Sequence, residues 1–237
     1  MVSSEWLCPV KNILVVAAEN FEFAGILRRS RTVEKADWGI RFSRVAELNG
    51  MRLLLAAHGP GSKLAGIAAD AVHSRAAVDA IVSTGLCGGL EPELCVGDIV
   101  VATEVNGSTT QRPFTSLPHR TGKVLSLDRV AVNPVEKARL HETGASVVEM
   151  EAQALAERAK LWQVPFYCVR SVSDSAAEEF LLDLNAVRDT EGRFRRGLIV
   201  LKTVIRPFTL VPEMLRLKRN SERAADSLGE FVANCCF

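Results

Sequence analysis

The sequence lacks a surplus of charge of either sign. Its 237 residues contain 29 Lys and Arg against 28 Asp and Glu, which gives a net charge of +1. A surface field of one sign is what attracts nucleic acid or an anionic surface, and the whole chain carries no such field. The composition therefore argues against a nucleic-acid partner and favours a small molecule.

The sequence also lacks the segments that mark membrane or exported proteins. No window approaches the roughly eighteen uninterrupted apolar residues of a membrane-spanning helix. Residues 1–5 contain no basic region followed by an apolar core. We therefore expect a soluble protein that is not exported.

Paired cysteine motifs and linkers are absent as well. The six cysteines include no C-x-x-C pair, and several lie in apolar runs, where a free Cys behaves as a small hydrophobe. This pattern fits a reducing cytoplasm. No Pro-, Gly- or Ser-rich linker divides the chain and its length suits one core, so we predict a single domain over residues 1–237.

What the sequence does contain is a series of short apolar runs. Residues 12–18 and 51–57 are rich in Val, Leu and Ala, which is typical of strands covered on both faces of a sheet. Ala-rich helices are predicted at residues 63–78 and 152–160. Further strands are predicted at residues 80–90, 96–103, 124–131 and 165–173. The predicted fold class is therefore α/β, with a single domain built on a central mixed β-sheet flanked by helices.

Acidic residues stand at the ends of several of these elements. Asp174 falls at the carboxyl end of the predicted strand 165–173, and ligands of open α/β sheets bind beyond the carboxyl ends of strands. Glu22, Glu149 and Glu151 each lie near the start of a predicted helix. Simpler roles stay open at this point, because Asp174 can cap the next turn and Glu22 can complement a helix dipole.

A glycine turn links the second strand to the helix of residues 63–78. His58-Gly-Pro-Gly-Ser62 exposes backbone N–H groups at a helix N-terminus, an arrangement suited to an anion, with Ser62 as the expected N-cap. The turn is neither a G-x-G-x-x-G nor a Walker motif, so an ordinary tight turn stays open. A polar loop at residues 107–122, which includes His119, is a candidate cover for a pocket.

The chain ends in a predicted amphipathic helix that begins at about Pro212. Apolar residues such as Met214, Leu215 and Leu228 share one face, while basic residues crowd the first half of the helix. Two interpretations are open. The charges form the solvated face of a packed helix, or the helix makes peripheral contact with a membrane or lipid.

Four stretches together resemble one known family. They are residues 84–90 (Thr-Gly-Leu-Cys-Gly-Gly-Leu), 96–101 (Val-Gly-Asp-Ile-Val-Val), 149–151 (Glu-Met-Glu) and 170–174 (Arg-Ser-Val-Ser-Asp). They are similar to the purine nucleoside phosphorylase and methylthioadenosine/S-adenosylhomocysteine nucleosidase superfamily, in order and spacing, over roughly residues 13–177. The resemblance implies a nucleoside phosphorylase-like fold and an enzyme that cleaves the N-glycosidic bond of an adenine nucleoside. It also implies a homo-oligomer and no metal or organic cofactor.

The same resemblance implies roles for the acids. Glu151 would hold the ribose, since one carboxylate accepts hydrogen bonds from two vicinal hydroxyls, and Met150 would pack against the sugar. Asp174 would protonate purine N7 or share a proton with it, so that the base leaves as a neutral molecule. This role requires a protonated Asp174 near neutral pH, and hence burial or a nearby negative charge. Ser173 would orient Asp174.

Further residues complete the implied site. Arg170 would organise the pocket acids, and the remaining substrate-binding residues are Glu149, Gly85, Leu86, Gly59 and Val130. Leu86 stands where nucleosidases usually present a small polar residue, and no aromatic lies near Val130 to stack on a purine.

The nucleophile is left open by the sequence. Glu22 matches the acid that positions water in nucleosidases. A phosphorylase instead holds phosphate with cations and N–H donors. For phosphate, the alternative co-substrate, the candidates are Arg28, Arg29, Ser62 and the turn at residues 59–61.

Two softer matches bear on the substrate. Residues 133–145 and 210–221 resemble the hopanoid-associated phosphorylases, which are held to remove adenine from the lipid-linked nucleoside adenosylhopane. The resemblance favours that substrate over methylthioadenosine or S-adenosylhomocysteine. The alternatives are a methylthioadenosine/S-adenosylhomocysteine nucleosidase and a non-catalytic nucleoside-binding protein of the same fold.

Overall fold

The structure is a computed structural model that describes residues 12–237, so that residues 1–5 and Cys8 lie outside the described part. The strands in this part are β1 (Asn12–Ala17), β2 (Thr32–Lys35), β3 (Phe42–Leu48), β4 (Met51–Ala57), β5 (Ala80–Gly89), β6 (Ile99–Val105), β7 (Ser108–Thr109), β8 (Arg120–Ser126), β9 (Ala145–Glu149) and β10 (Phe166–Asp174). The α-helices are α1 (Ala24–Arg29), α2 (Ser62–His73), α3 (Pro134–His141), α4 (Ala152–Trp162), α5 (Arg196–Ile205) and α6 (Pro207–Ala233), and a 3-10 turn spans Asn20–Phe23.

The strands form one mixed sheet in the order β10-β6-β8-β9-β5-β1-β4-β3-β2, with β7 paired to β6. A further pairing of β10 with β5 closes part of the sheet into a ring of β5, β10, β6, β8 and β9. Strands β4, β1, β5 and β10 run parallel to one another. Their carboxyl ends therefore meet at one edge, where α/β proteins place ligand sites.

Alternating residues of the central strands pack into two hydrophobic cores, one on each face of the sheet. Leu14 and Val16 of β1 pack into one cluster, with α2 and α4, while Ile13 and Val15 pack into the other, with α1 and the end of α6. Both faces of the sheet are thus covered, which is what a continuous apolar strand sequence requires. The predicted α/β fold with a central mixed sheet is confirmed.

Several predicted boundaries were wrong. The strand expected at residues 124–131 is β8, which starts at Arg120 and ends at Ser126, and the helix expected to reach residue 78 ends at His73. Sequence patterns also missed β2 and β3, whose antiparallel ladder lies at the sheet edge. The four residues of β2 are all exposed and therefore show no apolar signal.

The C-terminal helix begins earlier than predicted. Pro207 occupies the first turn of α6, where a missing N–H costs nothing, and Pro212 lies inside the helix. Helix α5 was not predicted and precedes it directly. Residues 107–122 are only partly a loop, since β7 and the start of β8 fall within them.

No helix within residues 12–237 has the length and apolar character needed to cross a membrane. Cys87, Cys95, Cys168 and Cys235 carry free thiols, whereas Cys236 is disulfide-bonded.

Candidate active site

The predicted acids meet in one pocket at the carboxyl ends of β1, β5 and β10. The cavity has a volume of about 260 Å³. Of the residues predicted to form a site, the pocket is lined by Glu22, Leu86, Val130, Glu149, Met150, Glu151, Ser173 and Asp174. These residues come from five separate parts of the chain, and the sheet brings them together.

A buried arginine underlies the acids. Arg170 on β10 is wholly inaccessible and forms an ion pair with Glu149, while its guanidinium lies 3.6 Å from Glu151 Oε2. It also donates to the Thr84 carbonyl at 2.9 Å and to Ser83 Oγ at 2.6 Å. Burial alone lowers the pKa of Arg170, but the charge of Glu149 raises it above its ordinary value, so the guanidinium stays charged.

Glu149 also fixes the start of the helix that follows it. Its carboxylate accepts backbone N–H bonds from Glu151 at 2.9 Å and Ala152 at 3.0 Å. These bonds satisfy N–H groups at the beginning of α4. Glu149 is therefore held by Arg170 on one side and by a helix N-terminus on the other.

The glycine turn holds a carboxylate of the protein itself. The Gly61 N–H donates to Glu151 Oε1 at 2.8 Å. Ser62 is not the N-cap, because α2 begins at Ser62 with Gly61 in the cap position, and the Ser62 hydroxyl donates to the Met150 carbonyl at 3.2 Å. Burial, followed by repulsion from Glu149, raises the pKa of Glu151 from its ordinary 4.5 to about 8.

Glu22 is held in place by two backbone N–H groups. Leu86 N donates to Oε1 at 2.8 Å and Glu19 N donates to Oε2 at 2.7 Å. Burial raises the pKa of Glu22 above its ordinary value, although these two bonds oppose the shift. Gly85 makes the approach possible, because a Cβ at that position, with φ +129°, would lie 2.6 Å from Glu22 Oε1.

Asp174 is contacted by a lysine that the sequence did not reveal. Ser173 Oγ lies 2.7 Å from Asp174 Oδ1, and Lys137 Nζ donates to Oδ2 at 2.6 Å. Lys137, on α3, is wholly buried and also donates to the Ser175 carbonyl at 2.6 Å. Asp174 is buried as expected, since it is 5% exposed. The charged side chain that contacts it is the cation Lys137, and not an acid, which was the other neighbour that the sequence analysis considered.

The C-terminal part of the chain supplies an apolar wall. Phe180, Leu184 and Phe194 line the pocket together with Leu217 of α6. Phe180 supplies an aromatic ring to the pocket that Val130 also lines, and Lys137 Nζ lies 5.6 Å from the centre of that ring. Sequence reasoning missed these residues because they follow the recognisable motifs and carry no pattern of their own.

The candidate phosphate-binding arginines lie elsewhere. Arg28 pairs with Asp226 of α6 at 2.5 Å and Arg29 pairs with the same carboxylate at 2.8 Å, so both cations are used in attaching α1 to α6. Neither residue lines the pocket. The phosphate role predicted for Arg28 is therefore corrected.

Two other candidates also fall outside the pocket. Gly59 lies in a neighbouring cleft with Arg41 and His58. His119 packs against Phe231, and residues 107–122 do not line the pocket. The polar loop is thus not a cover for this site in the described structure.

The arrangement suits the stabilisation of positive charge on a ligand. Four acidic side chains, of Glu22, Glu149, Glu151 and Asp174, line a pocket with an apolar wall, and polar groups fixed in this way act strongly where water is excluded. Within residues 12–237 no group of three or more His, Cys, Asp or Glu side chains is arranged to hold a metal ion.

Comparisons with known proteins agree with this geometry. The model of the "Phosphorylase superfamily" matches residues 12–118 and 108–204. A curated 5'-methylthioadenosine/S-adenosylhomocysteine nucleosidase from Tolumonas auensis is 30% identical over 175 residues, which cover 60% of this chain and 76% of the relative. A protein of the same name from Mycobacterium bovis is 28% identical over 193 residues, which cover 59% of this chain and 76% of the relative. Because these relatives are nucleosidases, the prediction that the chain is an enzyme is confirmed.

Solved structures agree in fold. The 5'-methylthioadenosine/S-adenosylhomocysteine nucleosidase of Neisseria meningitidis, in complex with methylthio-immucillin-A, has a TM-score of 0.69 and 23% identity and covers 95% of this chain and 98% of its own. A futalosine hydrolase mutant of Helicobacter pylori has a TM-score of 0.70 and 16% identity, with the same coverage of 95% and 98%. At these identities the likeness concerns the fold alone. With the family model matching most of its length, the chain belongs to the phosphorylase superfamily.

Proposed function

We propose that this protein hydrolyses the N-glycosidic bond of an adenine nucleoside. The observation that carries the proposal is the kind of side chain that lines the pocket. Four acids line it, two of which, Glu149 and Asp174, are paired with the buried cations Arg170 and Lys137. Arg129, the only Lys or Arg among the described lining residues, is already ion-paired with Glu136. A phosphate anion would enter this field without a free cation to receive it, while neutral water enters at no such cost.

In this proposal Glu22 holds the attacking water below the sugar and takes its proton. The two N–H bonds from Leu86 and Glu19 fix the carboxylate, and a base works best when its pKa is near the working pH, toward which burial moves Glu22. Glu151 accepts hydrogen bonds from the ribose hydroxyls and Met150 packs against the ring.

Asp174 serves the leaving base. As the glycosidic bond breaks, its electron pair passes to the purine, and N7 takes a proton that Asp174 relays from Lys137. Lys137 Nζ, 2.6 Å from Asp174 Oδ2, supplies that proton, and the Ser173 hydroxyl orients the other oxygen. The water oxygen then bonds to the anomeric carbon, and its proton stays with Glu22.

The pocket wall supports an apolar 5' substituent. Leu184, Phe194 and Leu217 lie on the wall formed by the C-terminal part of the chain. A methylthio group, as in the substrate that the curated relatives are named for, suits such a wall. The lipid-linked substrate of the hopanoid-associated phosphorylases is the second candidate, and the same apolar wall favours it. A homo-oligomer and a cytoplasmic location stay predictions.

The test is release of adenine. The protein is incubated with adenosine, 5'-methylthioadenosine, S-adenosylhomocysteine and an adenosyl lipid, each with and without phosphate. We expect release without phosphate and a free ribose product. Release that requires phosphate would replace hydrolysis by phosphorolysis, and binding without release from any substrate would assign a non-catalytic nucleoside-binding protein.

A further inference from the structure

The surface formed by α5 and the first part of α6 is apolar on its outer side. Eight of the fourteen large apolar side chains that are exposed within the described residues lie here, namely Leu181, Val200, Leu201, Val204, Ile205, Phe208, Val211 and Leu215, with exposures of 42% to 96%. We call these eight residues the outer face. Clusters of this kind are uncommon on a surface with no partner, since exposed apolar residues are normally scattered.

The outer face follows helical spacing. Val200 and Val204 are four residues apart on α5, and so are Leu201 and Ile205. On α6, Phe208, Val211 and Leu215 are spaced by three and four residues and so share one side of the helix. Each helix therefore presents a continuous apolar stripe to the outside.

The inner sides of the same helices already pack in a hydrophobic core. Leu210 is buried with Leu182 and Val187, and Ile199 and Met214 pack against them. The outer face is thus additional to what the fold needs for its own core. A helix that is apolar on both sides has a second apolar environment to meet.

The charge around the outer face is mostly positive, which favours an anionic partner. Residues 195–219 contain seven Lys and Arg against one acid, Glu213, although the whole chain has a net charge of only +1. Glu213 is itself buried and paired with Arg216. Exposed Arg206 stands at the junction of α5 and α6, between the two apolar stripes. Apolar side chains flanked by cations are the features of a helix that lies on an anionic lipid surface.

We propose that the outer face docks onto the surface of an anionic lipid bilayer. Helix α5 has ten residues, a length of about 15 Å, so that it lies in the interface and does not cross it. A second copy of the chain fits less well, because two such faces in contact would bring their cations together in a poorly hydrated interface. The proposal concerns a surface and does not depend on the reaction at the pocket. Since Leu217 of α6 lines the pocket, docking places the pocket mouth close to the lipid.

The test measures co-sedimentation of the full chain with vesicles. Vesicles of phosphatidylcholine alone are compared with vesicles that also contain phosphatidylglycerol. We expect binding to the anionic vesicles, and a decrease in binding as salt is added, since salt screens the cations. A chain that sediments with neither kind of vesicle overturns the proposal.

Matched variants locate the contact. Val204→Ser with Phe208→Ser removes two members of the outer face and is expected to weaken vesicle binding by roughly tenfold or more. Val135→Ser with Leu161→Ser removes side chains of similar exposure elsewhere and should leave binding unchanged. Equal loss in both pairs would overturn the assignment of the face.

Two further measurements distinguish docking from other causes. Cleavage of a water-soluble nucleoside should be the same in both pairs, because none of the four residues lines the pocket. Sedimentation equilibrium without lipid tests the second copy. A dimer of the unchanged chain that the Val204/Phe208 pair converts to monomer, without vesicle binding by the unchanged chain, would replace the bilayer by a second copy as the occupant.

Discussion

The raised pKa of Glu151 predicts that the stability of the protein falls as pH rises from about 4.5 to about 8. The folded protein keeps the proton of Glu151 up to about pH 8, whereas the unfolded chain releases it near 4.5. Between these values the folded state binds more protons, so the free energy of unfolding falls as pH rises. For Glu151 alone the fall is on the order of 1 kcal/mol per pH unit, or roughly 2 to 3 kcal/mol between about pH 6 and about pH 8.

Glu151→Gln removes this dependence at nearly constant shape. Glutamine resembles the neutral form of the acid and can still accept the N–H bond of Gly61, which is 2.8 Å from Oε1. Relative to the unchanged protein, the variant should therefore gain roughly 2 to 3 kcal/mol of stability from about pH 6 to about pH 8. Coupling to Glu149 spreads the titration over both carboxylates, so a gain of half that size still agrees with the reasoning.

The assay is urea unfolding of both proteins at a series of pH values, at constant ionic strength. Glu34→Gln, a change at an exposed position on β2, is the control and should follow the unchanged protein at every pH. A constant difference in stability between Glu151→Gln and the unchanged protein across this range would refute the reasoning, because it would mean that Glu151 is ionised throughout.

Three further changes test the site and its support. Asp174→Asn should lower kcat for adenine release by at least about 100-fold with an unchanged circular dichroism spectrum, and a near-normal rate would place the acid elsewhere. Lys137→Met leaves the carboxylate of Asp174 buried without its cation and should lower the free energy of unfolding by about 3–5 kcal/mol, whereas an unchanged urea midpoint would mean that the ion pair contributes little. Gly229→Ala should lower the melting temperature strongly, at a cost of about 3 kcal/mol, because a Cβ there would overlap the backbone of Gly25. Gly197→Ala on α5, where a Cβ meets nothing within 4 Å, is its control and should be neutral or slightly stabilising.

The parts of the fold that could be predicted are those whose burial shows in a short stretch of sequence, such as a continuous apolar run. The apolar run at the start of the described chain became β1, which is buried on both faces, and the run at residues 51–57 became β4 with the predicted bounds. The position of Asp174 followed from the same kind of apolar run. Asp174 lies at the carboxyl end of the buried strand β10, and ligands of α/β proteins bind at that edge of the sheet. Local periodicity is enough where burial is nearly complete.

The parts that could not be predicted depend on contacts between distant residues. Lys137 lies in a short charged helix, and nothing in that sequence distinguishes it from an exposed lysine. Its burial arises because α3 directs it at Asp174, which is 37 residues away. Phe180 reaches the pocket in the same way, from beyond the last motif. Arg28 shows the opposite case. It is close in sequence to Glu22 and was therefore considered for the site, but its guanidinium pairs with Asp226 of α6.

The charge balance of the pocket connects its stability to its chemistry. Arg170 neutralises Glu149 and Lys137 neutralises Asp174, and burial raises the pKa of both Glu22 and Glu151, so that ionising either of these two acids costs free energy. Such a cost is recovered only when positive charge appears between them. A sugar that loses its base acquires that charge as an oxocarbenium ion, and neutral water adds no opposing charge. A phosphate anion would add negative charge to the same place, and for this reason the electrostatics of the pocket favour hydrolysis.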